Sequence, residues 1–225
     1  MARRNALVKK LQAVEALGQA NVIAMDKTGT LTENELVVRR VFASEHMFVV
    51  EGSGYEPKGK IHGAGGGSVH LAQFPGLQLI GKLAALTADA QVAYREEQGA
   101  WQVAGDPTEA AMIAFAQKLG YVREELLRAQ PLVEEEPFDY TTKYHAAAFR
   151  SGSGILVALA GAPGAIIARC TSAFLNAGVS PLNAEARANA EEIFHRLASE
   201  GLRVVAVAYR DVSQGGHPHL HDPQE

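Results

Sequence analysis

Asp26-Lys27-Thr28-Gly29-Thr30-Leu31-Thr32 gathers, in seven consecutive residues, the groups that covalent phosphoryl transfer needs. The Asp26 carboxylate can act as a nucleophile, and the hydroxyls and backbone N–H groups that follow can hold phosphate oxygens. Gly29 lets the chain turn tightly around them. A carboxylate used this way needs a rigid support. The apolar run Val22-Ile23-Ala24-Met25 directly precedes it and reads as a buried strand ending at Asp26.

A second group of residues suits a nucleotide. Phe138 and Lys143, five positions apart, can supply a stacking plate and a phosphate-facing cation, although Phe138 taken alone is more often a core residue. Gly105-Asp106-Pro107-Thr108-Glu109 precedes a stretch rich in helix formers and reads as a helix start, with Pro107 pre-setting the entry and Thr108 capping it. Gly54 to Lys60 has the spacing of a phosphate-binding P-loop. Ile61 then stands where Ser or Thr should be, Pro57 sits inside the loop, and no helical pattern follows. The segment is better read as a flexible surface hairpin. His217, His219 and His221 alternate in a tail containing Pro218 and two glycines, which favours an unstructured hinge over a metal site.

The elements around these residues follow from periodicity. Leu36–Val41 and His46–Val50 are expected strands, and Leu77–Ala88 an expected helix with Leu79, Ile80, Leu83 and Leu86 on its apolar face. A helix is expected from Ala110, continuing over Leu119–Ala129, and Glu134-Glu135-Glu136 is expected as a solvated acidic turn. Ala146–Arg150 and Ile155–Ala160 flank a hairpin turn at Ser151-Gly152-Ser153-Gly154. A long amphipathic helix over Pro181–Glu200 precedes a buried strand over Gly201–Arg210, led by Arg203.

Composition bounds the possibilities. The 225 residues can hold one or two domains, and 47% are hydrophobic without any run of about 18 apolar residues to span a bilayer. The first residues lack the apolar stretch of a signal peptide. Cys170 is the sole cysteine, which excludes an internal disulfide framework. A net charge of −4 disfavours nucleic acid as a general partner. The first ten residues are locally basic, through Arg3, Arg4, Lys9 and Lys10, which suits a solvated helix face or a segment beside a membrane.

Several of these stretches, in this order, resemble P-type ATPases of type II. The heptapeptide with Glu33-Asn34-Glu35-Leu36 resembles their phosphorylation motif. Gly54-Tyr55-Glu56-Pro57-Lys58-Gly59-Lys60-Ile61, Gly105 to Glu109, Phe138 to Lys143 and Gly201 to Arg210 resemble words of their nucleotide-binding domain. The resemblance implies an α/β fold, a twisted antiparallel sheet flanked by helices. Before it would stand the first strand of a haloacid dehalogenase-like phosphorylation domain. Implied bounds are a juxtamembrane linker over 1–20, the strand and phosphorylation loop over 21–36, the nucleotide-binding domain over 37–211, and a return hinge over 212–225. On this view Met1 is an internal residue, and the chain is part of a longer protein at the cytoplasmic face of a membrane, itself soluble. Its partners would be the phosphorylation, actuator and transmembrane domains of a calcium or other small-cation pump.

The resemblance also assigns roles. Asp26, Lys27 and Thr28 would be catalytic, with Mg²⁺ at Asp26 and Thr28. ATP would be bound by Thr108, Glu109, Phe138, Lys143, Gly161 and Arg203, with adenine on Phe138 and its amino group donating to Glu109. Four positions depart from the family pattern: Tyr140 replaces a common Arg, His145 a common Met, and in Ala160-Gly161-Ala162-Pro163-Gly164, which resembles the family's Lys-Gly-Ala-Pro-Glu, Ala160 replaces the Lys at the base of the adenine pocket and Gly164 the Glu. Losing that cation removes a charge-assisted hydrogen bond of roughly 1.5–3 kcal/mol, so ATP affinity is expected to fall about tenfold or more. The chain has neither a Thr-Gly-Asp word nor a Gly-Asp-Gly-x-x-Asn-Asp magnesium loop. It is therefore expected to bind nucleotide without completing turnover. The alternatives are a free-standing phosphatase using Asp26, and a non-catalytic docking or regulatory module with weakened nucleotide binding.

Overall fold

A computed structural model of the chain describes residues 11–27, 30–32, 35–97, 99–175 and 178–221. It divides into two compact units, Met1–Glu35 and Leu36–Glu225.

In the first unit, α1 covers Leu11–Gly18. The run Val22–Met25 forms no strand, contrary to expectation, and Val22 is 80% exposed. A strand exists only through pairing, and among the described residues none pairs with this run. Its apolar character remains without the sheet that would bury it.

The second unit is mixed α/β with antiparallel strand pairs throughout. Strands β1 (Arg40–Ala43), β2 (His46–Val50) and β3 (Ile61–Gly63) form one sheet in sequential order. The first starts four residues later than expected. The glycine-rich connection between β2 and β3 is packed rather than loose: Tyr55 is buried and its hydroxyl accepts from the Leu36 N–H at 3.3 Å. Gly59, at φ +134°, lies so close to the Glu51 carbonyl that a Cβ there would sit 2.2 Å from its oxygen.

Helix α2 (Pro75–Leu86) leads to the hairpin β4 (Gln91–Arg95) and β5 (Ala100–Ala104), and then to α3 (Pro107–Lys118). The helical run does not continue unbroken to Ala129. Gly120 adopts φ +86°, the Tyr121 N–H closes on the Ala116 carbonyl, and α4 restarts at Arg123–Ala129.

The principal sheet has the order β11-β8-β7-β6, where β6 is Leu132–Glu136, β7 Tyr144–Ser151, β8 Gly154–Gly161 and β11 Ala206–Val212. Between β8 and β11 lie α5 (Pro163–Arg169), the hairpin β9 (Ser172–Leu175) and β10 (Gly178–Pro181), and α6 (Ala184–Ser199). Two expectations are corrected here. Glu134–Glu136 is an edge strand paired with β7, and its acidic side chains discourage a further strand from adding. The last strand begins at Ala206 rather than Gly201, because its partner β8 ends at Gly161, opposite Ala206, and then turns into α5.

Both central strands are buried on both faces. His145, Ala147 and Phe149, with Leu156, Ala158 and Ala160 across from them, face α2. Tyr144, Ala146 and Ala148, with Val157 and Leu159, face α5. The segment after β11 closes that second face instead of forming a loose hinge. Leu220 is 1% exposed, Tyr144 donates its hydroxyl proton to the His221 carbonyl at 3.4 Å, and Arg210 donates to the Pro218 carbonyl at 2.8 Å. Full burial of Leu220 contributes about 1.5–3 kcal/mol against an ordering cost of about 1–2 kcal/mol per residue, and the two hydrogen bonds add to it.

Candidate nucleotide-binding and phosphorylation sites

In the first unit, Asp26 and Lys27 are exposed. The Lys27 carbonyl accepts from the Leu31 N–H at 3.1 Å and from the Thr32 hydroxyl at 3.3 Å, so the chain curls back on itself after the carboxylate. Thr28 and Gly29 lie outside the described residues.

In the second unit, α3 is capped by Asp106, not by Thr108. The Asp106 carboxylate accepts from Thr108 N–H at 2.7 Å and Glu109 N–H at 3.3 Å. Asp is among the best caps, and its place directly before Pro107 was the available signal. Thr108 is thereby free for another role. Its hydroxyl accepts from the Arg203 guanidinium at 2.9 Å, across 95 positions of sequence. The adjacent Glu109 carboxylate accepts from the Asp89 N–H at 2.9 Å. A carboxylate can accept several such bonds, so this one orients the group without saturating it.

Phe138 and Lys143 stand on the connection from β6 to β7. Phe138 is 48% exposed and meets the Tyr140 ring edge-on, with centroids 5.4 Å apart. A half-exposed aromatic ring on a connection is not a core residue, so the core alternative for Phe138 does not hold. Asp139 organises this connection. Its carboxylate accepts from Thr141 N–H at 2.8 Å and Thr142 N–H at 3.0 Å, and its carbonyl accepts from Lys143 N–H at 2.7 Å. The turn puts Lys143 at φ +63°. Asp followed two and three residues later by Thr is the signature of such a turn, and it went unread in the sequence.

The N–H bonds from Thr142 and then Thr141 hold the Asp139 carboxyl below its ordinary range. The folded group gives up its proton more readily than the unfolded one, so its stabilisation is complete above the unfolded value of about 3.9. It is lost as pH falls through the lowered folded value. Amide shifts of Thr141 and Thr142 should therefore stay constant from neutral pH down to about pH 4 and move together only below it.

Gly161 and Lys143 are also brought together. Ala162 N–H donates to the Lys143 carbonyl at 2.9 Å, and a Cβ on Gly161 would sit 2.3 Å from that oxygen and 2.6 Å from the Tyr144 Cα. No bulkier residue fits. The Tyr144 ring is covered by Arg169, whose guanidinium carbon is 4.7 Å from the ring centroid. Ala160 is buried beside α2, where its methyl group completes the core. Among the described residues no helix is long and apolar enough to cross a membrane, and no three metal-ligating side chains cluster.

Sequence comparison gives this geometry a context. The profile described as P-type ATPase, cytoplasmic domain N, matches residues 77–224. The chain is 37% identical over 227 residues to "Cation-transporting ATPase pma1" of Synechocystis, covering 98% of this chain and 24% of that protein. It is 30% identical over 226 residues to "Calcium-transporting ATPase" of Bacillus subtilis, with 100% and 25% covered. A third relative, "Calcium-transporting ATPase 3, endoplasmic reticulum-type" of Arabidopsis thaliana, is 31% identical over 247 residues. The chain spans about a quarter of the length of the first two of these relatives. With an antiparallel α/β fold and a profile match over most of its length, the chain belongs to the P-type ATPases and carries their cytoplasmic N domain.

Proposed function

We propose that the second unit binds ATP, and that in the longer pump the γ-phosphate is transferred to Asp26 to drive transport of a small cation. The observation carrying this reading is the pairing of Arg203 with Thr108 at 2.9 Å. It joins the helix start that bears Glu109 to the segment entering β11, so that a cation and a carboxylate flank one surface.

Each residue has a distinct task. Phe138 offers its exposed ring to the adenine, a contact worth about 1–3 kcal/mol per base. Glu109 accepts from the adenine amino group. Lys143 and Arg203 meet the phosphates, Arg203 swinging from the Thr108 hydroxyl, which then accepts from the nucleotide instead. Gly161 lets the Lys143 backbone approach β8 closely, which aims the side chain outward. Asp26 attacks the γ-phosphorus in line, forming an aspartyl phosphate and releasing ADP. Lys27 and the hydroxyl of Thr28 stabilise the charge that builds there.

Mg²⁺ suits the oxygen donors of Asp26 and Thr28, and when bound it supplies charge neutralisation at the transferring phosphoryl group. The domain bounds implied by the sequence, 21–36 for the phosphorylation loop and 37–211 for the nucleotide-binding domain, belong to this proposal. So does a location at the cytoplasmic face of a membrane.

The test is titration of this chain with ATP, with and without Mg²⁺, followed by backbone amide shifts. Saturable shifts at Phe138, Lys143 and Glu109 are expected. Phe138→Ala should weaken binding about 5- to 150-fold, the range that loss of one stacking contact covers. No shift up to about ten millimolar would reject the pocket. Ala160 in place of a cation would then favour the docking module.

A further inference from the structure

Thr87 ends α2, and its hydroxyl turns back onto the Leu83 carbonyl at 2.8 Å. The Thr87 carbonyl, at the negative end of that helix, is bonded to Nδ1 of His145 at 2.6 Å. Nε2 of the same ring meets Glu135 Oε1 on β6 at 3.0 Å. A carbonyl only accepts, so Nδ1 is the donor in that bond. The ring is thus held at both nitrogens while only 6% exposed. Its direct partner across the sheet is Ala160, a side chain small enough to leave the imidazole room against α2.

Two residues beyond Thr87 stands Asp89, whose N–H orients Glu109 and whose carboxylate pairs with Arg123 at 3.1 Å. Ala88 and Ala90 on either side are buried. Gly105, just before the α3 cap, packs so tightly on Ala90 that a Cβ would lie 3.0 Å from the Ala90 Cα. Residues 87–90 therefore form a strut. His145 pins one end of it to β7, two residues after Lys143, and the other end holds Glu109.

We propose that His145 is a positioning residue for base recognition: by pinning the Thr87 carbonyl to β7 it keeps Glu109 in register with Lys143 and Phe138. This rests on the ATP-binding reading above. A buried ring bonded only for stability would affect every ligand alike. One acting through Glu109 should affect the base selectively.

ATP and ITP separate these cases, because the 6-amino group of adenine can donate to Glu109 and the 6-oxygen of hypoxanthine cannot. The intact chain is expected to prefer ATP by about tenfold, the worth of a hydrogen bond to a charged group. His145→Leu should raise the ATP dissociation constant to that of ITP, leave the ITP value unchanged, and accelerate hydrogen exchange at the Asp89 amide. His145→Asn, whose side-chain amide can still donate to the Thr87 carbonyl, should recover part of the preference. An unchanged ATP-to-ITP ratio in folded His145→Leu overturns the proposal, and so does an equal loss of both nucleotides. If His145→Leu does not fold, Glu135→Gln on the exposed edge strand must lower the same ratio, and its failure to do so is equally fatal. Absence of ATP binding by the unsubstituted chain is a different failure: it removes the pocket reading and this inference together.

Discussion

On the proposed function, Asp26→Asn is expected to leave ATP binding by this chain unchanged and to abolish phosphoenzyme formation in the full-length protein. An amide has no anionic oxygen to attack phosphorus, and no neighbouring side chain in Lys27 to Thr32 offers a second carboxylate. The loss should be complete rather than graded, because covalent transfer needs a nucleophile. Incubation with γ-labelled ATP and Mg²⁺ followed by acid quenching measures it, with hydroxylamine release identifying an acyl phosphate. Phosphate retained in the variant, or label on a different residue, would remove Asp26 from its proposed role. Unchanged nucleotide shifts in the same variant would establish that binding and transfer use separate residues.

Gly161→Ala should be among the most damaging single-methyl changes in the second unit, alongside Gly59→Ala. The added carbon would lie 2.3 Å from the Lys143 carbonyl and 2.6 Å from the Tyr144 Cα, and both are backbone atoms that no rotamer change can move aside. Relief requires β7 and β8 to part at their Tyr144–Gly161 pair, next to the Ala162 N–H bond to Lys143. Overpacking of this kind costs about 3 kcal/mol at the upper end of its usual range. For a chain of this size that corresponds to roughly 6–12 °C in melting temperature. Lys143 would move with the strand, so ATP affinity should fall even at temperatures where the variant stays folded. Thermal melts and ATP titration read the two effects independently. A melting temperature within about 2 °C of the parent would mean that the strands separate there at little cost.

Much of this was legible in the sequence, for reasons that can be named. The hairpin at Ser151–Gly154 and the strand His46–Val50 appear where glycine and residue alternation indicated, because both signals are local. The helices at Pro75–Leu86 and Ala184–Ser199 follow from apolar spacing. The candidate residues Thr108, Glu109, Phe138, Lys143, Gly161 and Arg203 were named from words in the chain. What pairs with them was not. Glu134–Glu136 carries the composition of a turn, yet β7 offers it a row of backbone groups and it becomes a strand. Val22–Met25 carries the composition of a strand, yet pairs with none among the described residues. In both segments the available partner outweighs intrinsic preference, since β structure is completed only by another strand.

Family membership, the Asp26–Thr32 heptapeptide and the order of the words that resemble the family are properties of residue type and spacing, so the sequence alone determined them. Tertiary structure decided which of these residues touch. It joined Arg203 to Thr108, pressed Gly161 against Lys143, drew the segment after β11 over Tyr144, and inserted His145 between Thr87 and Glu135. These contacts span from 10 to 95 positions of sequence. Short-range propensity does not reach so far. Such contacts arise when burial of β7 and β8 on both faces brings distant segments together, and only then do their polar groups find partners.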